Sequence, residues 1–167
     1  MSEIADKLAE LNAGEYLYLR ELSEPQDNAL RIVVQEAVSN RAKAAPLKIS
    51  GSPGTFFEGD SWPIESTDSC RTFVLHWPRY VAYLVTEECA GSGGNYEDEI
   101  FVGKLARVYT KSHLLAFLAR DTGGHFEPLQ HYKIVCLNHL IDVVSTKPPE
   151  VEVITGNGAP PPNPVIQ

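Results

Sequence analysis

Long apolar runs are missing from this 167-residue chain: no uninterrupted stretch exceeds six residues, as in Leu114 to Ala119, far short of the ~20 that a membrane-spanning helix needs. The N-terminus lacks the basic start and apolar core of a secretory leader. Cysteine is scarce, and its three copies, Cys70, Cys89 and Cys136, cannot all pair within one chain and follow no regular spacing. No Asn-x-Ser/Thr sequence occurs. These absences argue against a disulfide-stapled scaffold and predict a reduced, cytoplasmic protein without a membrane span. Basic residues are also in short supply: 14 Lys and Arg stand against 22 Asp and Glu, for a formal net charge of −8. That balance argues against nucleic acid as a partner, because polyanion binders concentrate Lys and Arg on one face.

The acidity is localised. Residues 49–70 carry Glu58, Asp60, Glu65 and Asp68 with no Lys or Arg, and residues 80–103 carry Glu87, Glu88, Glu97, Asp98 and Glu99, again with none. Those nine acids amount to −9, and the remaining residues set 14 bases against 13 acids. The charge therefore belongs to two segments of an otherwise balanced chain.

The pattern of the rest predicts an α+β fold: a mainly antiparallel twisted sheet of about six strands built from hairpins, with one or two short helices covering one face. A domain of this size buries roughly 70% of its unfolded surface and needs no staples. Ile4, Leu8 and Leu11 recur on one helical face after Ser2, a capping residue, with Gly14 placed to end the helix. "EYLYLREL" and "ALRIVVQEAV" alternate around the turn-forming "SEPQDN", which predicts a hairpin. "PLKIS" suggests a short strand before "GSPGTFFEGDSWPIESTD", whose Gly, Pro and Ser content reads as a long loop pinned by Phe56, Phe57 and Trp62. "RTFVLHW" and "YVAYLVTEE" flank Pro78-Arg79 and predict a central hairpin. "IFVGKLARVY" resumes strand composition with Gly103 as a bulge. Ser112 should cap a helix burying Leu114, Leu115, Phe117 and Leu118, stopped by Gly123-Gly124. One globular unit over 1–154 and a Pro-rich, flexible tail over 155–167 complete the expected organisation.

"HYKIVCLNHLIDVVS", residues 131–145, holds the richest chemistry. With Asn138-His139 as a two-residue turn it becomes a hairpin whose Tyr132, Ile134, Cys136, Ile141 and Val143 share an apolar face, while Lys133 lies diagonal to Asp142 on the other. Cys136 and His139 match half of a zinc site, and His131 or His125 would have to supply further ligands. A Cys-His nucleophile pair is equally a matter of spatial convergence. His76 reads as a half-buried strand histidine, and His113 falls in the first turn of the Ser112 helix. "GSGG" at 91–94 neither opens a helix nor ends in Gly-Lys-Ser/Thr, which removes a phosphate loop. Glu97-Asp98-Glu99 lacks the ligand spacing of a calcium loop.

Two functional classes follow. The first is an acidic protein-interaction module of the inhibitor or immunity type, presenting Glu58, Asp60, Glu97, Asp98 and Glu99, with Trp62, Tyr96 and Trp77 as aromatic anchors, to a basic protein surface. It needs no cofactor, and its oligomeric state is not written in the sequence. The second is a small enzyme or metal-binding domain using Cys136, His139 and His131.

Overall fold

The computed structural model describes residues 3–50, 56–89, 97–126 and 128–155. Helix α1 (Glu3–Asn12) precedes strands β1 (Tyr16–Ser23) and β2 (Leu30–Ser39), a short 3-10 turn (Arg41–Lys43), and strands β3 (Ala45–Ser50), β4 (Phe56–Ser61), β5 (Ile64–Glu65), β6 (Thr72–Trp77) and β7 (Ala82–Glu87). Then come β8 (Ile100–Val102), β9 (Ala106–Lys111), helix α2 (His113–Asp121), β10 (Gln130–Val135), β11 (His139–Ser145) and β12 (Glu150–Ile154). The α+β, mainly antiparallel class holds, but with twelve strands among the described residues. They form one sheet in the order β1-β2-β6-β12, with β5 pairing the end of β2, a second sheet β7-β11-β10-β9-β8, and a separate β3-β4 pair.

Period-two alternation explains how the two large sheets meet. On β2, Leu30, Ile32 and Val34 turn inward and oppose Trp77, Leu75 and Phe73 of β6, all fully buried. Tyr132, Ile134, Ile141 and Val143 of the β10–β11 hairpin belong to the same core cluster, so the sheets share one interior. Leu8 and Leu11 of α1 enter that interior, and α1 touches β12 of one sheet and β9 of the other. Helix α2 lies against β10 and its buried Leu118 is not part of the shared core. The two helices therefore serve different faces instead of covering one. On α2 only Leu118 is buried, and Phe117 is 53% exposed, contrary to its expected place in the core.

Asn12, the last residue of α1, locks the helix to the β8–β9 connection. Its Oδ1 accepts from the N–H groups of Lys104, Leu105 and Ala106 at 2.8, 2.8 and 2.9 Å, while Nδ2 donates to Leu8 O and Ala106 O at 3.0 Å each. Gly103 makes the close approach: its φ is +99° and an added Cβ would stand 2.0 Å from Ala106 O. This glycine turns the chain between β8 and β9, where the sequence suggested a bulge in one strand.

Three other expectations change. Pro78-Arg79 does not join a hairpin, because β6 pairs with β2 and β12 whereas β7 pairs with β11 in the opposite sheet. The segment carries the chain across the core, held by Tyr80 N–H donating to Asn28 O (2.8 Å) and Val81 N–H to Val144 O (2.7 Å). Residues 56–65, read as loop, supply β4 and β5. The β10–β11 register pairs Lys133 with Asp142 and Cys136 N–H with His139 O, so the turn is Leu137-Asn138, one residue earlier than expected. Asn138 has another duty: Oδ1 accepts from Leu19 N–H (2.9 Å), Nδ2 donates to Leu19 O (3.1 Å), and Leu137 N–H donates to Leu17 O (2.8 Å). The hairpin tip is thereby stitched to the outer edge of β1 and closes one corner between the sheets.

Candidate functional site

The acids singled out from the sequence do not form one patch. Strands β7 and β8 are opposite edges of the same five-stranded sheet, four strand spacings or roughly 19 Å apart. Glu87 and Glu88 sit at the end of the first, Glu97–Glu99 at the start of the second. Asp98 contacts His113 Nε2 (3.0 Å) and Lys111 Nζ (3.7 Å), and Glu99 accepts the His113 N–H (2.9 Å). Desolvation works against the Asp98 carboxylate, but His113 and Lys111 outweigh it and hold its pKa below the usual carboxylate range. These two acids thus anchor the start of α2, and His113 has the acidic neighbour that the sequence did not reveal. Glu65 is likewise engaged at home, with Lys43 at 2.8 Å and Asn40 at 2.9 Å. By contrast, Asp60, Asp68, Glu87 and Glu88 are exposed, and among the described residues no Lys or Arg pairs with any of them.

Of the aromatic anchors, Trp62 is 44% exposed with the Arg41 guanidinium 5.6 Å from its ring centroid. Trp77 is fully buried and stacks edge-on with Tyr132, so it serves the core. Tyr96 and the side chains of Phe56, Phe57 and Glu58 lie outside the described residues, as does the 91–94 glycine stretch.

Cys136 lies in the core as the hairpin register predicts, 2% exposed, and burial pushes its thiol pKa up to about 12. A thiol so disfavoured as thiolate is a poor nucleophile at neutral pH. His139 is its cross-strand neighbour at the turn, with a buried Nδ1 that finds no hydrogen-bond partner. His131 is an odd-numbered residue on β10 and points to the opposite face from Cys136. The three side chains are thus not brought together, and among the described residues no group of three His, Cys, Asp or Glu converges on a metal position.

On that opposite face the structure builds a cluster that sequence reasoning missed. His131, 3% exposed, meets Ser112 Oγ through Nδ1 at 2.9 Å and Asp142 Oδ1 through Nε2 at 2.8 Å. Lys133 Nζ reaches the same Asp142 oxygen at 3.2 Å, and Tyr109 stacks on the imidazole at 4.2 Å and 14°. With His131 neutral every proton is placed: Ser112 O–H donates to Nδ1 and Nε2–H donates to the carboxylate. The Ser-to-His-to-Asp order is that of a hydrolase triad, but the ring nitrogens are exchanged: the triad has Ser on Nε2 and Asp on Nδ1, whereas Ser112 is on Nδ1 and Asp142 on Nε2. The surroundings favour a structural clamp. Ser112 Oγ already accepts the Leu115 N–H (3.1 Å) as the cap of α2, and Ser112 and Asp142 are each 5% exposed. A cleft of about 520 Å³ beside α2 is lined by Leu115, Ala119, Pro128 and Leu129, and by none of the three relay side chains. The one-residue slip in the expected register hid the cluster, because the true register makes His131 the diagonal neighbour of Asp142.

One surface combines unneutralised acid with exposed apolar groups. Strand β7 is an outer strand whose Leu84 and Val85, on opposite faces, are 52% and 39% exposed. Tyr80 and Tyr83 form an edge-on pair at 5.1 Å near its start, and Glu87 and Glu88 end it. Comparison of the chain with protein-family models, with curated proteins and with solved structures returns no match.

Proposed function

We propose that the protein is a non-catalytic interaction module that binds a basic protein surface, in the manner of an inhibitor or immunity protein. One observation carries the reading: Asp60, Asp68, Glu87 and Glu88 are exposed without a basic partner among the described residues, while Glu10, Glu21, Glu36, Glu65, Asp98 and Asp142 each have one. Asp6, Asp27, Asp121 and Glu152 are likewise exposed without a basic partner among the described residues, but Asp60, Asp68, Glu87 and Glu88 fall in the two segments that contain no base, where their field is not offset and steers a cationic partner. Asp98 and Glu99, tied to α2, contribute charge but are the wrong residues to mutate.

The test uses cationic proteins captured from lysate at low salt and the variant Asp60→Asn, Asp68→Asn, Glu87→Gln, Glu88→Gln. Association with the captured protein should slow by about tenfold or more at low ionic strength, with the difference fading as salt shortens the Debye length to a few ångströms. A variant that associates at the wild-type rate in low salt overturns the proposal, and so does the absence of any salt-sensitive partner.

A further inference from the structure

Sheet edges expose unpaired N–H and C=O groups, and natural proteins blunt them with short strands, Lys, Pro, bulges or covering elements. Among the described residues the two large sheets have four outer strands. The β1 edge is occupied at Leu17 and Leu19 by the Leu137-Asn138 tip. Helix α1 lies against β12, and β8 is only three residues long. Among the described residues, strand β7 has none of these defences. It runs for six residues, AYLVTE, with no Lys, no Pro and no register shift against β11. Alternate residues direct their backbone groups to β11, which leaves the other set facing outward. Val85 sits on the core-facing side yet is 39% exposed, so the facing sheet does not extend over this edge.

The geometry points to β7 as a strand-addition site for an extended segment of a basic partner protein. The segment would pair its main chain with the free edge, set side chains of its two faces against Leu84 on one side of the sheet and Val85 on the other, and place Lys or Arg beside Glu87 and Glu88. Charge selects this occupant. Residues 80–103 contain no base, and a second copy of the chain would bring a net charge of −8 to the same edge. The inference rests on the acidic-interaction reading and adds how the partner is held: backbone pairing for affinity, carboxylates for register.

The probe is a peptide of about ten residues, alternating valine and threonine with lysines at one end, a length matched to a single added strand. Its controls carry glutamates for the lysines, or N-methyl groups through the central residues. The parent peptide should bind saturably and shift backbone amide resonances of residues 82–87 and of β11. The N-methylated and acidic versions should bind at least about tenfold more weakly, because one cannot donate to the edge and the other is repelled. Leu84→Lys should weaken the parent similarly while leaving the melting temperature unchanged, since that side chain is already half exposed. Failure to bind, equal binding of the N-methylated peptide, resonance shifts beside β8 instead, or a dimer of the chain that Leu84→Lys dissolves would each overturn strand addition. The acidic reading fails separately, through the neutralised variant, whose outcome does not depend on backbone pairing.

Discussion

Replacing Asn12 with alanine tests whether one side chain fastens α1 to the second sheet. The change deletes five hydrogen bonds to backbone groups, of which the Leu105 N–H and both Ala106 groups belong to residues only 6% and 2% exposed. Water can replace the bond to exposed Lys104, and Leu8 O is the helix acceptor four residues before Asn12, so those two losses are small. Three buried groups at roughly 1–1.5 kcal/mol each predict a loss of about 3–5 kcal/mol. That is a large share of the ~5–15 kcal/mol that holds a typical domain together. Asn12→Asp should recover little, because a carboxylate oxygen replaces the amine facing Leu8 O and Ala106 O and adds negative charge at a helix C-terminus. Equilibrium urea unfolding followed by the fluorescence of buried Trp77 reads the effect. If Asn12→Ala costs less than about 1 kcal/mol with an unchanged denaturant slope, the clamp does not contribute what its geometry implies.

Other consequences are equally direct. In the native protein, exposed Cys89 should alkylate rapidly at pH 8 and Cys136 only on unfolding, as measured by mass spectrometry; fast modification of Cys136 would refute its burial. Burial pushes the Glu36 carboxyl up, but two side-chain bonds and a backbone bond from Arg71 outweigh it and leave its pKa below the ordinary value of 4.5. Its contribution to stability is thus complete above pH 4.5 and lost as pH falls through the depressed value, and Arg71→Gln, which removes the charged side-chain donors but keeps the backbone bond, should shrink that acid-side loss, as urea melts at several pH values would show. His131→Phe keeps a ring against Tyr109 but strands the Ser112 hydroxyl and takes one partner from Asp142, and should cost about 2–4 kcal/mol. A fluorophosphonate probe should leave Ser112 unlabelled, and labelling that His131→Phe abolishes would make the clamp a catalytic relay.

Much of the fold is local and was legible. Leu8 and Leu11 mark the buried stripe of α1, the β1–β2 alternation gives its hairpin, and Ser112 and Gly123-Gly124 bound α2 through an N-cap bond and two positive φ angles. The Pro78-Arg79 error has a physical origin. A proline-containing turn reports that the chain bends, not which sheet the next strand joins, and that choice is made by distant carbonyls at Asn28 and Val144. Strands β4 and β5 escaped because their Gly, Pro and Ser content matches loop chemistry, and pairing with β3 and β2 supplies the order instead.

Register decides how much chemistry a sequence reveals. Assigning the turn to Asn138-His139 preserved the inward set, Cys136 included, because a shift of two in the pairing sum leaves side-chain parity intact. The same shift moved His131 away from Asp142, and the most polar buried cluster vanished from view. Asn138 was available for a turn in either reading, yet its bidentate grip on Leu19 requires the turn to begin one residue earlier. The clamp and the stitch are therefore coupled: slipping the hairpin would break the Leu19 bonds and separate His131 from Asp142 together.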